Sequence, residues 1–115
     1  MFQVVKRDGE IADFQMSKIT SAIDKAFDAK EKIYSKDIID LLGLRVTADF
    51  QNKIQDNKVT VEDIQDSVEQ VLVQAGYTEV AKAYILYRKQ REKIRNMKST
   101  ILDYKDVVDS YVKVT

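Results

Sequence analysis

"VVKRDGEIADF", residues 4–14, decides the fold of the N-terminal segment, because an Asp-Gly pair divides two strand-like runs. Such a pair reads as a two-residue hairpin turn, in which both turn residues need positive φ. The strands are then Phe2 to Arg7 and Glu10 to Phe14. The expected pairs are Arg7 with Glu10, Lys6 with Ile11 and Val5 with Ala12. Alternation puts Val5, Ala12 and Phe14 on one face and Val4, Lys6 and Ile11 on the other. Both faces carry apolar residues, and a hairpin alone is marginal, so this one must rest on something. Adjacent lysine and arginine at its tip are unusual for a merely solvated turn.

The residues that follow are helical. Ser17 is placed as an N-cap, and Ile19, Ala22, Ile23, Ala26 and Phe27 recur at helical spacing. Ser35 caps a second helix, with Tyr34 and Ile39 as a hydrophobic staple. Its stripe is Ile39, Leu42, Val46 and Phe50, reaching Ile54. Gly43 lies within that stripe, where it weakens the helix but admits a close neighbour. "QDNK", residues 55–58, is a turn. Thr60 opens a third helix with Asp63 at the capping-box position, Val59 and Ile64 as staple, and Gly76 as its stop. Val59 is also placed to add a third strand edge to the hairpin. Thr78 caps a long fourth helix carrying Val80, Ala81, Ala83, Tyr84, Ile85 and Tyr87. From Ser99 onward Ile101, Tyr104, Val108 and Tyr111 keep helical spacing, and the pattern stops without a cap, as expected of a piece of a longer protein. The expected fold is α+β and mostly α, a small hairpin or three-stranded cap over a four-helix bundle, with a C-terminal linker helix.

Composition narrows the chemistry. With 115 residues the chain is one domain in size. It has no Cys, which excludes disulfides and thiolate metal sites, and no His, the commonest general base. No apolar run approaches the ~18 residues of a membrane span, and no secretory signal is present, so the expected compartment is the cytoplasm. The net charge of zero argues against a general nucleic-acid surface. Charge is unevenly placed, however. Thr60 to Val80 holds five acids and no base, whereas Arg88 to Lys98 holds six bases against Glu92 alone. Two solvated helix faces of opposite sign account for this as well as a basic set facing an anion does. No catalytic constellation and no metal-ligand set is legible.

The candidate site is therefore an anion site. Lys6, Arg7 and the amides around Asp8 and Gly9 form a concavity at the hairpin tip. Lys18 stands in the first turn of the first helix, where acids are normally favoured, beside the positive end of the helix dipole. Thr60 offers a hydroxyl at another helix start, and Arg88, Lys89 and Arg91 add charge. Val4, Val5, Ile19, Ile23 and Ile64 can wall an apolar slot for a base. Neither GxxxxGK[ST] nor GxGxxG occurs.

"VVKRDGEIADFQMSKI", "VTVEDIQDSVEQVL" and "AKAYILYRKQR", in that order and spacing, resemble the ATP-cone domain over about residues 3 to 95. The resemblance implies a strand cap over four helices in residues 1–97. It implies ATP or dATP, with Mg²⁺, bound between the two as an allosteric effector of a ribonucleotide reductase. It places phosphate contacts on Lys6, Arg7, Lys18 and Arg88. The base would lie near Val5, Ile19 and Ile64, with Asp8, Gly9 and Thr60 shaping the site. The tail "ILDYKDVVDSYVKVT" resembles the segment leading into the catalytic body of anaerobic ribonucleoside-triphosphate reductases, so 98–115 is expected to be a linker. The fragment itself is then not an enzyme. Its partners are nucleotides, the catalytic body and nucleotide-dependent oligomers. Two rivals remain: the nucleotide-sensing half of a reductase-gene repressor, against which the missing zinc-ribbon cysteines speak, and a ligand-free helical interaction module.

Overall fold

A computed structural model describes residues 2–32 and 34–114, with side chains described through Met97. Its strands are β1 (Gln3–Val5), β2 (Ile11–Asp13) and β3 (Lys58–Thr60), in the order β2-β1-β3. β1 pairs antiparallel with β2 and parallel with β3. The hairpin forms, but its turn is longer than expected. The Lys6 amide donates to the Glu10 carbonyl (2.8 Å) and the Gly9 amide to the Lys6 carbonyl (3.0 Å), leaving Arg7, Asp8 and Gly9 as a three-residue loop. Only Gly9 in this loop has positive φ, at +88°, while the Asp8 carboxylate accepts from the Glu10 amide at 3.0 Å. A three-residue loop of this kind needs one left-handed residue instead of two, and glycine adopts it without steric cost.

The longer turn shifts the register by one, so Val5 faces Ile11 and Val4 faces Ala12. A one-residue shift exchanges the faces. Val4 now shares a side with Ala12, Phe2 and Phe14, and Phe2, Val4 and Phe14 pack against the core. Ile11 is left 50% exposed on the other side. The two-residue turn with two left-handed residues occurs instead at Asp56 (φ 52°) and Asn57 (φ 62°). There Gln55 and Lys58 exchange both backbone hydrogen bonds at 2.9 Å. The Asn57 carbonyl also accepts from the Gln3 amide at 2.9 Å, which ties this turn to β1.

The helices are α1 (Met16–Ala29), α2 (Lys36–Asp49), α3 (Val61–Gln74) and α4 (Thr78–Val114). Two caps form as expected: Ser35 Oγ accepts from the Ile38 amide (3.3 Å) and Thr60 Oγ from the Asp63 amide (3.1 Å). Gly76, at φ +89°, closes α3 with bonds from its own amide to the Val73 carbonyl (3.0 Å) and from Tyr77 to Leu72 (2.9 Å). This pair satisfies carbonyls that the helix end would otherwise leave without partners. α1 departs from expectation. It starts at Met16, its cap position is Gln15, no side chain caps it, and Ser17 lies inside the first turn. The tail expected to be a separate helix from Ser99 continues α4 to Val114.

The chain divides into two compact units, Met1–Ile85 and Leu86–Thr115. The first holds a core of Ile23, Phe27, Val46, Phe50, Val68, Leu72 and Val80, each fully or almost fully buried. Here α2 packs against both α1 and α3. Gly43 sits at the α1 contact, where an added Cβ would lie 2.8 Å from Thr20 Cγ2. Alanine there gains up to about 1 kcal/mol of helix propensity but overpacks the contact by about 1–3 kcal/mol. Gly43→Ala is therefore expected to destabilise by about 1–2 kcal/mol in urea denaturation, and Thr20→Ser should recover much of the loss. Equal or greater stability in the single variant would show that the helices part freely there.

Candidate functional site

The pleat assigns the two tip cations different tasks. Lys6 lies two residues on from Val4, so its side chain leaves the helix-facing side of the sheet, and it is exposed. Arg7 turns to α3: its Nε lies 3.2 Å from Glu62 Oε1, and Nη2 donates to Gln65 Oε1 at 3.2 Å. The parallel β1–β3 register brings them together, since Val5 stands beside Thr60 and α3 starts immediately after β3. Asp8 and Gly9 are exposed at the tip.

The two helix starts near the sheet differ electrostatically. α1 has no acid in its first turn and no side-chain cap, and Lys18 in that turn is exposed. The Lys18 amide donates to the Gln15 carbonyl (3.2 Å), and the dipole with the remaining first-turn amides favours an anion. α3 carries Glu62 and Asp63 in its first turn, and Thr60 already caps it. A phosphate at α3 would face two carboxylates, and the Thr60 hydroxyl oxygen already accepts from the Asp63 amide. Lys6 and the start of α1 lie toward opposite ends of the hairpin, because the Phe14 amide donates to the Phe2 carbonyl (3.4 Å). The four residue steps from Phe2 to Lys6 span about 13 Å along the strand. An elongated ligand with charge at more than one point suits this spacing better than a single small anion.

The proposed apolar slot is split by the sheet. Val4 packs on the core with Ile19 (6% exposed), Ile23 (0%) and Ile64 (7%), so a base reaches Ile23 only if that packing opens. Val5 points from the other face and, with Thr60, Asp63, Lys53 and Asn52, lines a cavity of about 540 Å³. A second cavity of about 420 Å³ lies between α1 and α2, lined by Ser17, Thr20, Asp24, Tyr34, Lys36 and Asp40.

Two features escaped the sequence reading. Glu62 and Gln65 became partners of Arg7 only through the strand order. The Tyr34 hydroxyl is bonded to Asp24 and, at 2.8 Å, to Asp28, fixing the α1–α2 connection against α1. The bonds to Asp24 and then Asp28 hold the phenol well above the ordinary tyrosine pKa. Its raised folded-state value means that any stability it lends is present at neutral pH and is lost only as pH rises through that value. The spacing of Asp24 and Asp28 was a usable signal, since like charges four apart on a helix repel unless a partner intervenes.

Arg88, Lys89 and Arg91 belong to the second unit. Arg88 is half-buried, Lys89 and Arg91 are exposed, and the Arg91 guanidinium lies 6.0 Å from the Tyr87 ring centre.

The family model of the ATP cone domain matches residues 2–93. The chain belongs to the ATP-cone family. An ATP-cone of this sequence is 42% identical over 101 residues to a vitamin B12-dependent ribonucleoside-diphosphate reductase of Thermoplasma acidophilum, covering 84% of this chain and 13% of that protein. It is 39% identical over 98 residues to a ribonucleoside-diphosphate reductase subunit alpha of Chlamydia pneumoniae, covering 80% of this chain and 9% of that protein. With an anaerobic ribonucleoside-triphosphate reductase of Haemophilus influenzae the identity is 36% over 103 residues, 87% of this chain and 14% of that protein. The chain thus spans roughly a tenth of the length of the curated relatives it matches. Family membership supports a nucleotide-binding regulatory role for the ATP-cone. Among the described residues no helix is long and apolar enough to cross a membrane.

Proposed function

We propose that this ATP-cone binds ATP or dATP and regulates an anaerobic ribonucleoside-triphosphate reductase. The observation that carries the reading is the contrast between the two helix starts. α1 is uncapped, free of acids and bears Lys18, whereas α3 is capped and acidic. Lys18 and the α1 amides would hold one part of the phosphate chain, and Lys6, from the helix-facing side of the hairpin, another. Asp8 and Gly9 shape the turn that presents Lys6; Val4, Ile19, Ile23 and Ile64 would wall the nucleoside on the helix-facing side once that packing opens, with Val5 and Thr60 on the sheet's other face. Arg88 enters this reading through the sequence resemblance, and Lys89 and Arg91 through the basic charge clustered beside it. Mg²⁺ would ride on the phosphate oxygens, as a hard cation does.

Regulation follows from linkage. ATP and dATP differ by one ribose hydroxyl, so each must stabilise a different arrangement of the ATP-cone with its catalytic body or oligomer partners. In this reading residues 1–97 are the regulatory domain and 98–115 the link to that body, with radical chemistry elsewhere in a cytoplasmic parent enzyme. The tail resemblance and the Haemophilus relative support the anaerobic parent. Assaying the parent chain for triphosphate reduction without oxygen tests that part.

Calorimetric titration and thermal melting test the binding. At ten times Kd, ATP or dATP with Mg²⁺ should add about 1.4 kcal/mol of stability, roughly 5 °C in Tm, because the ligand binds only the folded state. GTP should do much less. Equal shifts for all three would reduce the site to general anion binding, and no shift would favour an interaction module.

A further inference from the structure

Arg7 is the better-anchored of the two tip cations. Its guanidinium is shared between Glu62 and Gln65, both at 3.2 Å, and its side chain is only 23% exposed. The loop that carries it is held otherwise by short-range bonds: Lys6 with Glu10, Gly9 with Lys6 and Glu10 with Asp8. Beyond Val5 the ladder to β3 has ended. The Arg7 pairing is therefore a long-range tie between the loop and a helix, spanning 58 residues of sequence to Gln65.

We propose that Arg7, Glu62 and Gln65 form a latch that fixes the hairpin tip on α3 and so positions Lys6 for the nucleotide. Arg7 is then a positioning residue, acting through Glu62 and Gln65 instead of touching phosphate. The chemistry supports this division. Glu62 stands next to Asp63 in the first turn of α3. A triphosphate brought to Arg7 would approach both carboxylates, whereas Lys6 leaves from the helix-facing side of the sheet. A guanidinium is suited to this task, because its planar fork bonds a carboxylate and an amide oxygen at once. The division of labour rests on the nucleotide-binding reading, but the latch itself does not.

Two measurements on Arg7→Gln, Glu62→Gln and the double variant separate the two. The first is hydrogen exchange at the Lys6 and Gly9 amides without nucleotide. The latch requires faster exchange at both in either single variant, with the helices of the first unit unchanged. The second is ATP titration. Both single variants should bind about three- to tenfold more weakly, and the double variant no more weakly than Arg7→Gln alone, because both substitutions break one tie. If Arg7 instead contacts phosphate, Glu62→Gln releases it and ATP binds more tightly, which overturns the proposal. Unchanged exchange in both single variants overturns it as well. If the unaltered chain fails to bind ATP, the nucleotide reading falls, and the exchange measurement still decides the latch.

Discussion

Phe50→Ala should lower stability by about 3–5 kcal/mol, the range for a buried aromatic cut to a methyl group. Phe50 is fully buried at the end of α2, and its ring meets Phe2 and Phe14 edge-on at 5.6 and 5.7 Å. Phe2 and Phe14 stack on each other at 4.5 Å across the base of the hairpin. Phe50 therefore fills the core and holds the strand layer to the helices. Urea denaturation should show the loss in full, and Phe50→Leu, which keeps much of the volume, should cost clearly less. Because the three rings meet at the hairpin base, any folded fraction of Phe50→Ala should also show weaker nucleotide binding. A loss below about 1 kcal/mol would mean that the strand layer is held by other contacts.

Lys18→Ala should weaken ATP binding by about 1.5–3 kcal/mol, the scale of a charge-assisted hydrogen bond, or roughly ten- to hundredfold. The structure adds a sign that separates binding from folding. A lysine in the first turn opposes the helix dipole, so its removal should leave the nucleotide-free protein as stable or a few tenths of a kcal/mol more stable. Weaker binding with undiminished stability cannot come from unfolding. Titration and denaturation of the same variant would measure both. Unchanged affinity would remove Lys18 from the site and take with it the main argument for placing phosphate at α1.

Much was legible in the sequence because it depended on near neighbours. The stripe Ile39, Leu42, Val46, the caps at Ser35 and Thr60, and the stop at Gly76 each follow from spacing of four residues or fewer. The same holds for the strand character around "KRDG" and for Lys18 as a cation at a helix start. These features carried both the fold class and the family.

Tertiary structure decided the rest. "DG" is compatible with a two- or a three-residue turn, and the choice was made by the faces. Only the three-residue loop turns Phe2, Val4 and Phe14 together onto the core around Phe50, and that burial outweighs a local turn preference. The two-residue turn went to Asp56 and Asn57, where it delivers β3 alongside β1. Strand order was equally hidden, since a parallel neighbour arrives only after α1 and α2 have formed the crossover. That order brings Glu62 and Gln65 to Arg7 and makes one of two adjacent cations a tie within the fold. Residue types and local periodicity were set by the sequence alone. Which of the two adjacent cations is tied into the protein and which stays exposed depended on contacts between residues dozens of positions apart, which no local pattern encodes.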